Sequence, residues 1–156
     1  MRKIIVFVLV VAVAFLAYQQ YGPKKPEFRE IRNMQFEELS NKKVIVVADA
    51  MIYNPNITSI EVTDINLDVS VDGSKAGKAV GKEKSIIGEA GQEFAVPIRA
   101  TFETADFLKS GGGLLGGLAG LLGKKKFQID YEGNITLKVL FVNFDVPVKE
   151  TTSLGK

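Results

Sequence analysis

Phe127, Ile129, Tyr131, Gly133, Ile135, Leu137, Val139 and Phe141 stand at every second position of one stretch, and Val142, Phe144, Val146 and Val148 continue on the opposite phase. A period of two puts alternate side chains on one side of an extended chain, so this stretch reads as strand; an amphipathic helix would repeat every three to four residues. The phase is unbroken across Gly133, which favours one long strand bent there over a hairpin turning at Gly133-Asn134, although glycine in that first turn position suits type II′ geometry. Upstream, residues 44–53 (VIVVADAMIY) are β-branched and apolar on both alternating sets, as in a central strand covered on part of both faces. From Ile60 and Val62 the apolar set slips by one to Ile65, Leu67, Val69 and Val71, and a β-bulge at Thr63-Asp64 would keep one face inward. After an Asp72-Gly73 turn, residues 76–87 alternate weakly and carry Gly and Lys, the pattern of a charge-protected edge strand. Phe94, Val96, Ile98, Ala100 and Phe102 alternate cleanly around Pro97, which marks an edge or an interrupted ladder because it has no amide donor. About seven strands and no helix long enough for a βαβ unit predict an all-β fold, an antiparallel two-sheet sandwich of immunoglobulin or fibronectin-III type with one short helix.

Composition narrows the chemistry. The chain has 156 residues, enough for one core, and contains no Cys, His or Trp. Disulfides, thiolate and imidazole metal sites, His-activated nucleophiles and the usual neutral-pH proton shuttle are therefore excluded. A paired-carboxylate hydrolase is the remaining catalytic option, and since eighteen acidic residues guarantee some close pairs, proximity alone proves little. Twenty basic and eighteen acidic residues leave +2, with Arg2 and Lys3 supplying the excess, so no nucleic-acid partner is expected. Asp64, Asp68 and Asp72 share a strand face by spacing, which reads as a solvated face ahead of a weak cation site. No metal or other cofactor is expected.

Residues 1–17, MRKIIVFVLVVAVAFLA, place a basic pair before fourteen apolar residues, the layout of a secretory signal or signal anchor over residues 1–21. Fourteen helical residues cover only about 21 Å, so a permanent span must recruit Tyr18 to Tyr21. The candidate A-x-A site at Ala12 and Ala14 is too early and Phe15 is bulky where a small residue is wanted, which favours an uncleaved anchor. The basic N-terminus then stays in the cytoplasm and the domain lies on the extracytoplasmic side. Residues 22–27 form a Pro-punctuated linker, 28–149 the domain and 150–156 a tail.

The one helix candidate inside the domain spans Ala105 to Leu122 and contains SGGGLLGGLAGLLG, residues 110–123, with seven glycines and five leucines. Each interior Gly costs about 1 kcal/mol relative to Ala, so such a helix must borrow stability from leucine packing. Leu115, Leu118 and Leu122 fall at helical spacing, and as a plug they would close an open end of the sandwich. Alternatively the segment is an apolar flap contacting lipid through Phe107, Leu114, Leu115, Leu118, Leu121 and Leu122, with Lys124, Lys125 and Lys126 suited to anionic head groups. The literal GxGxxG match at Gly111–Gly116 lacks a βαβ setting, and Gly123-Lys124 lacks the Ser or Thr of a phosphate loop. Two Asn-x-Thr glycosylation patterns, at Asn56 and Asn134, read as incidental.

Asn54-Pro55-Asn56 follows an apolar strand and precedes Ile60-Glu61-Val62. Pro55 forces Asn54 toward extended geometry, and the two Asn amides can bond backbone groups left unpaired where strands part. The run Ile52-Tyr53-Asn54-Pro55-Asn56, with Val71-Asp72-Gly73, Phe94-Ala95-Val96-Pro97-Ile98 and Tyr131-Glu132-Gly133-Asn134-Ile135 in order, resembles the late embryogenesis abundant type 2 family, the LEA14-like or WHy domain, across residues 28–149. In that family the Tyr131 to Gly133 spacing is one residue longer, and the Gly-Leu-rich insert is a further departure. The resemblance implies a sandwich of about seven strands, an association with desiccation and other water stress, and no catalytic residues. Two functions are thus expected: non-enzymatic protection by contact with client proteins or membrane surfaces outside the cytoplasm, or a lipid-binding or lipid-transfer module using the Gly-Leu-rich segment. Oligomeric state is left open.

Overall fold

The computed structural model describes residues 1–83, 85–110 and 126–154. Helix α1 (Arg2–Tyr21) leads, followed by β1 (Glu27–Leu39), β2 (Lys43–Tyr53), β3 (Ile60–Val71), β4 (Ser74–Gly81), β5 (Ile87–Gly88), β6 (Glu93–Glu103), α2 (Thr104–Ser110), β7 (Phe127–Val139) and β8 (Val142–Leu154). All strand pairs are antiparallel and form one sheet, in the order β1-β2-β6-β4-β3-β7-β8, with β5 beside β3.

This arrangement departs from two stacked sheets, and β4 is the reason. It pairs with β3 through a tight turn and with β6 on its other side, stitching both halves of the chain into one curled layer. The edge position expected for residues 76–87 is therefore corrected: β4 lies in the interior of the sheet, and only Ile87–Gly88 continue as a separate short strand. Its small residues serve close packing here. A Cβ on Gly77 would sit 3.2 Å from the Phe102 ring and 3.3 Å from the Thr101 carbonyl oxygen. Pro97 marks an interrupted ladder, since β4 stops pairing with β6 at Ile98 and the Pro97 carbonyl accepts from the Lys82 amide instead.

The curl brings the two ends of the sheet together. Pro26, Glu27 and Phe28 share a surface hollow with Val146 and Pro147 of β8. Inward residues at alternate positions fill the interior: Val44, Val46, Ala48, Ala50 and Ile52 from β2, Leu67, Val69 and Val71 from β3, Val96, Ile98, Ala100 and Phe102 from β6, and Ile129, Tyr131, Ile135, Leu137 and Val139 from β7. Each large aliphatic or aromatic side chain buried this way contributes about 1.5–3 kcal/mol. The bulge falls where the phase slip places it, with Thr63 as the extra residue between the Val62–Leu137 and Asp64–Thr136 pairs. Its hydroxyl donates to the Thr136 carbonyl at 3.1 Å.

β7 runs unbroken through Gly133, where a Cβ would lie 2.1 Å from the Asn66 carbonyl oxygen of β3. The chain reverses at Leu140-Phe141, the point of the phase switch, with Leu140 at φ 56°. β8 then pairs along the whole of β7, so residues 150–154 are strand rather than tail.

The strands define two poles. One gathers the linker, residues 54–59, residues 88–92 and the Leu140-Phe141 tip, since Ile60 pairs with both Gly88 and Val139. The other gathers the β1–β2 turn, the Asp72-Gly73 turn and α2: the Thr104 amide bonds the Lys42 carbonyl at 3.1 Å, and the Thr104 hydroxyl bonds the Ser40 carbonyl at 2.8 Å. At about 3.3 Å per residue, the eleven residues of β2 separate these poles by about 36 Å. Among the described residues α1 makes no burying contact with the domain; its span from Lys3 to Tyr21 is long and apolar enough to cross a membrane. It runs through Tyr18 to Tyr21, the extension that a spanning helix of about 30 Å requires.

Candidate functional site

The Asn54-Pro55-Asn56 turn forms the polar centre of the linker pole. Asn54 is 0% exposed, and it and Asn56 are the buried polar residues among those described. A buried amide without partners would cost several kcal/mol, so its surroundings must supply them. The Asn54 side-chain nitrogen reaches the carbonyl oxygens of Thr58 (2.9 Å), Gly88 (3.2 Å) and Glu89 (3.0 Å). Its side-chain oxygen accepts from the backbone and side-chain nitrogens of Asn56, both at 2.9 Å. The Asn54 amide donates to the Gln92 carbonyl at 2.9 Å, and the Asn56 carbonyl accepts from the Gly91 amide at 3.1 Å. One side chain thereby ties together the end of β2, the entry to β3 and the β5–β6 loop.

Asn56 extends the network outward to the linker. Its side-chain oxygen accepts from the Lys24 amide at 2.6 Å, and its side-chain nitrogen donates to the Lys24 carbonyl at 2.9 Å. This reciprocal pair binds a linker residue as a neighbouring strand would, three residues after α1 ends. Lys24 was not identifiable as a partner from sequence, because its contribution is entirely backbone.

Tyr131 is buried in β7 beside Val69 of β3, with its hydroxyl 3.5 Å from the Met34 sulfur. Burial pushes the Tyr131 phenol well above its ordinary value of 10.0, because the phenolate would be desolvated. Gly133 lies on the same strand, against Leu67 and Val148, some distance from the turn. The structure therefore unites Asn54, Pro55 and Asn56 at one pole and sets Tyr131 and Gly133 in the body of the sheet.

Phe107 sits at the opposite pole. It is buried, with its ring centroid 4.9 Å from Phe127, 5.7 Å from Phe102 and 6.1 Å from Phe36. These rings close the distal end of the interior, and the Phe107 side chain is committed to that packing rather than presented to lipid. Leu114, Leu115, Leu118, Leu121, Leu122, Lys124 and Lys125 lie outside the described residues, as does most of the Ala105–Leu122 helix candidate. Lys126 is exposed at the start of β7.

The carboxylates are spread over the surface. Asp68 pairs with Lys75 at 3.2 Å, the Asp72 carboxylate in the turn after β3 accepts from the Gln128 amide at 2.9 Å, and Asp64 and Asp68 lie about 13 Å apart along β3. Glu37 bridges Lys82 (3.0 Å) and Arg99 (2.8 Å), and the hydrogen bond from Lys82 is the main cause of its lowered pKa. Among the described residues no group of three or more Asp or Glu side chains is placed to hold a metal ion.

A curled antiparallel β domain with an apolar interior and an Asn-Pro-Asn clamp at one pole defines the class of the molecule as a β-rich module. The chain is a member of the LEA_2 family, late embryogenesis abundant protein, whose profile matches residues 49–152. The fold is similar to that of a crystallised protein from Archaeoglobus fulgidus, with TM-score 0.54 and 10% identity over 83% of this chain and 98% of that one. It is likewise similar to an Arabidopsis thaliana protein solved in solution, with TM-score 0.54 and 13% identity over 86% of this chain and 83% of that one. A comparison with curated protein sequences gave no match.

Proposed function

We propose that this protein is a non-enzymatic stress-protection module of the WHy or LEA14-like kind, held at a membrane by α1 with its domain on the extracytoplasmic side, and acting through surface contacts with client proteins or lipid during water loss. LEA_2 membership suggests a water-stress-related protein. The observation that carries the reading beyond membership is the joining of an apolar, fully exposed helix to a domain whose interior is already occupied by its own side chains. Such a domain meets neighbours with its outside. The basic pair at the start of α1 supports a cytoplasmic N-terminus.

The test is to dry a labile client enzyme with vesicles bearing the full chain, then rehydrate and assay it. Recovery above that with empty vesicles, rising with the protein-to-client ratio and independent of any added small molecule, is the expected result. Recovery equal to empty vesicles, or turnover of a defined compound by the pure protein, overturns the reading. The lipid-module alternative rests on residues 110–123.

A further inference from the structure

The linker pole carries an exposed apolar rim. Ile57 is 69% exposed, Ile87 64%, Leu140 51% and Phe141 78%, while the rest of the domain keeps most of its large apolar side chains inside. Ile87 and Leu140 border one surface hollow together with Thr58, Ser59 and Ile60, so residues from three separate segments converge there. Ile57 and Phe141 are the chain neighbours of Thr58 and Leu140 at this same pole. Scattered single apolar residues are ordinary on a protein surface, whereas four gathered at one end call for a partner.

The linker geometry identifies that partner. Tyr18 and Tyr21 close the apolar run of α1, the position where aromatic side chains mark the membrane–water interface. Lys24 follows Tyr21 by three residues, a reach of at most about 11 Å. Asn56 holds the Lys24 backbone by two hydrogen bonds, and Ile57 is the next residue. The clamp therefore keeps this pole within about one head-group layer of the helix exit. The hairpin tip also lies five to seven residues before Val146 and Pro147, the pair that meets Pro26.

We propose that Ile57, Ile87, Leu140 and Phe141 insert into the interface of the same bilayer that α1 spans, so that the Asn56–Lys24 clamp seats the domain upright on the membrane with α2 about 36 Å away at the distal pole. This rests on the anchor role of α1 proposed above. Charge adds little: Lys24, Lys25 and Lys138 at this pole are offset by Glu27, Glu61 and Glu89. The contact is thus apolar and holds on neutral lipid.

The absence of tryptophan from the chain supplies the experiment. Full-length protein is reconstituted into phosphatidylcholine vesicles, with and without chain-brominated lipid, as four single-tryptophan variants. Leu9→Trp reports insertion of α1, Phe141→Trp and Ile57→Trp report the rim, and Asn41→Trp reports the distal pole. Expected are blue-shifted emission and loss of intensity to bromine at Leu9→Trp, Phe141→Trp and Ile57→Trp, unchanged in high salt, with water-exposed, unquenched emission at Asn41→Trp. Quenching at Leu9→Trp but not at either rim position overturns the rim proposal and leaves the anchor standing; no quenching at Leu9→Trp overturns the anchor and the rim with it.

Discussion

Asn54 concentrates more structural consequence than any other polar side chain described here. Replacing it with Ala leaves the Gly88 and Glu89 carbonyls and the Asn56 amide without their partners in a buried setting, at about 1–3 kcal/mol for each group so stranded. Thermal unfolding of Asn54→Ala followed by circular dichroism should show a Tm lower by roughly 10 °C. An unchanged Tm would mean that the turn serves recognition rather than stability. Tyr131 gives a second test, through pH. Its folded pKa lies above the unfolded value of 10.0, so above that pH the unfolded chain binds fewer protons than the folded one and stability falls with increasing pH. Urea titrations of the parent should therefore lose stability above about pH 10, and Tyr131→Phe should lose measurably less over the same interval. The Asn-Pro-Asn turn was legible in the sequence because Pro55 restricts the backbone of Asn54. Its partners were not, since carbonyls of Gly88 and Glu89 carry no side-chain signature.

At the scale of elements, alternation was the reliable signal wherever strands were regular. β2, β3, β6 and β7 were legible, and the Thr63 bulge followed from a one-residue slip between Val62 and Ile65. β1 was not: three register shifts, between Phe28 and Glu30, Arg32 and Gln35, and Phe36 and Glu38, scramble its period, and Asn33 adopts φ 52° within it. β4 misled for the opposite reason. Its Gly and Lys residues resemble a protected edge, while in the sheet Gly77 admits Phe102 and the lysines point to solvent, where Lys78 bonds the Asn66 side chain. The bulge itself yields a prediction. Deleting Thr63 restores strict alternation through Ile60, Val62, Ile65 and Leu67, so the variant should fold with a loss of about 1–2 kcal/mol in denaturant unfolding. Deleting Asn66 instead turns one flank of β3 inside out and should prevent cooperative unfolding from being seen at all.

Across the whole molecule, the strand count alone could not distinguish stacked sheets from a curled one, because that choice rests on whether one strand pairs on both sides. β4 does, and the result is a closed apolar interior sealed distally by Phe36, Phe102, Phe107 and Phe127. Polar order is set at the other end, where the Asn56–Lys24 clamp couples domain to linker. Sequence reading placed its apolar contact surface in residues 110–123, whereas the described apolar rim lies at the pole next to α1; Phe141 was visible only as the last member of an alternation, and its exposure follows from the turn that the phase switch forces. With the described interior occupied by the domain's own side chains, the chain is expected to carry no cargo there. Native mass spectrometry of the full chain, extracted from membranes and stripped of loosely held lipid, tests this most directly. The expected spectrum shows the mass of the protein alone; one acyl lipid retained per chain, and lost on deletion of residues 111–122, would contradict it.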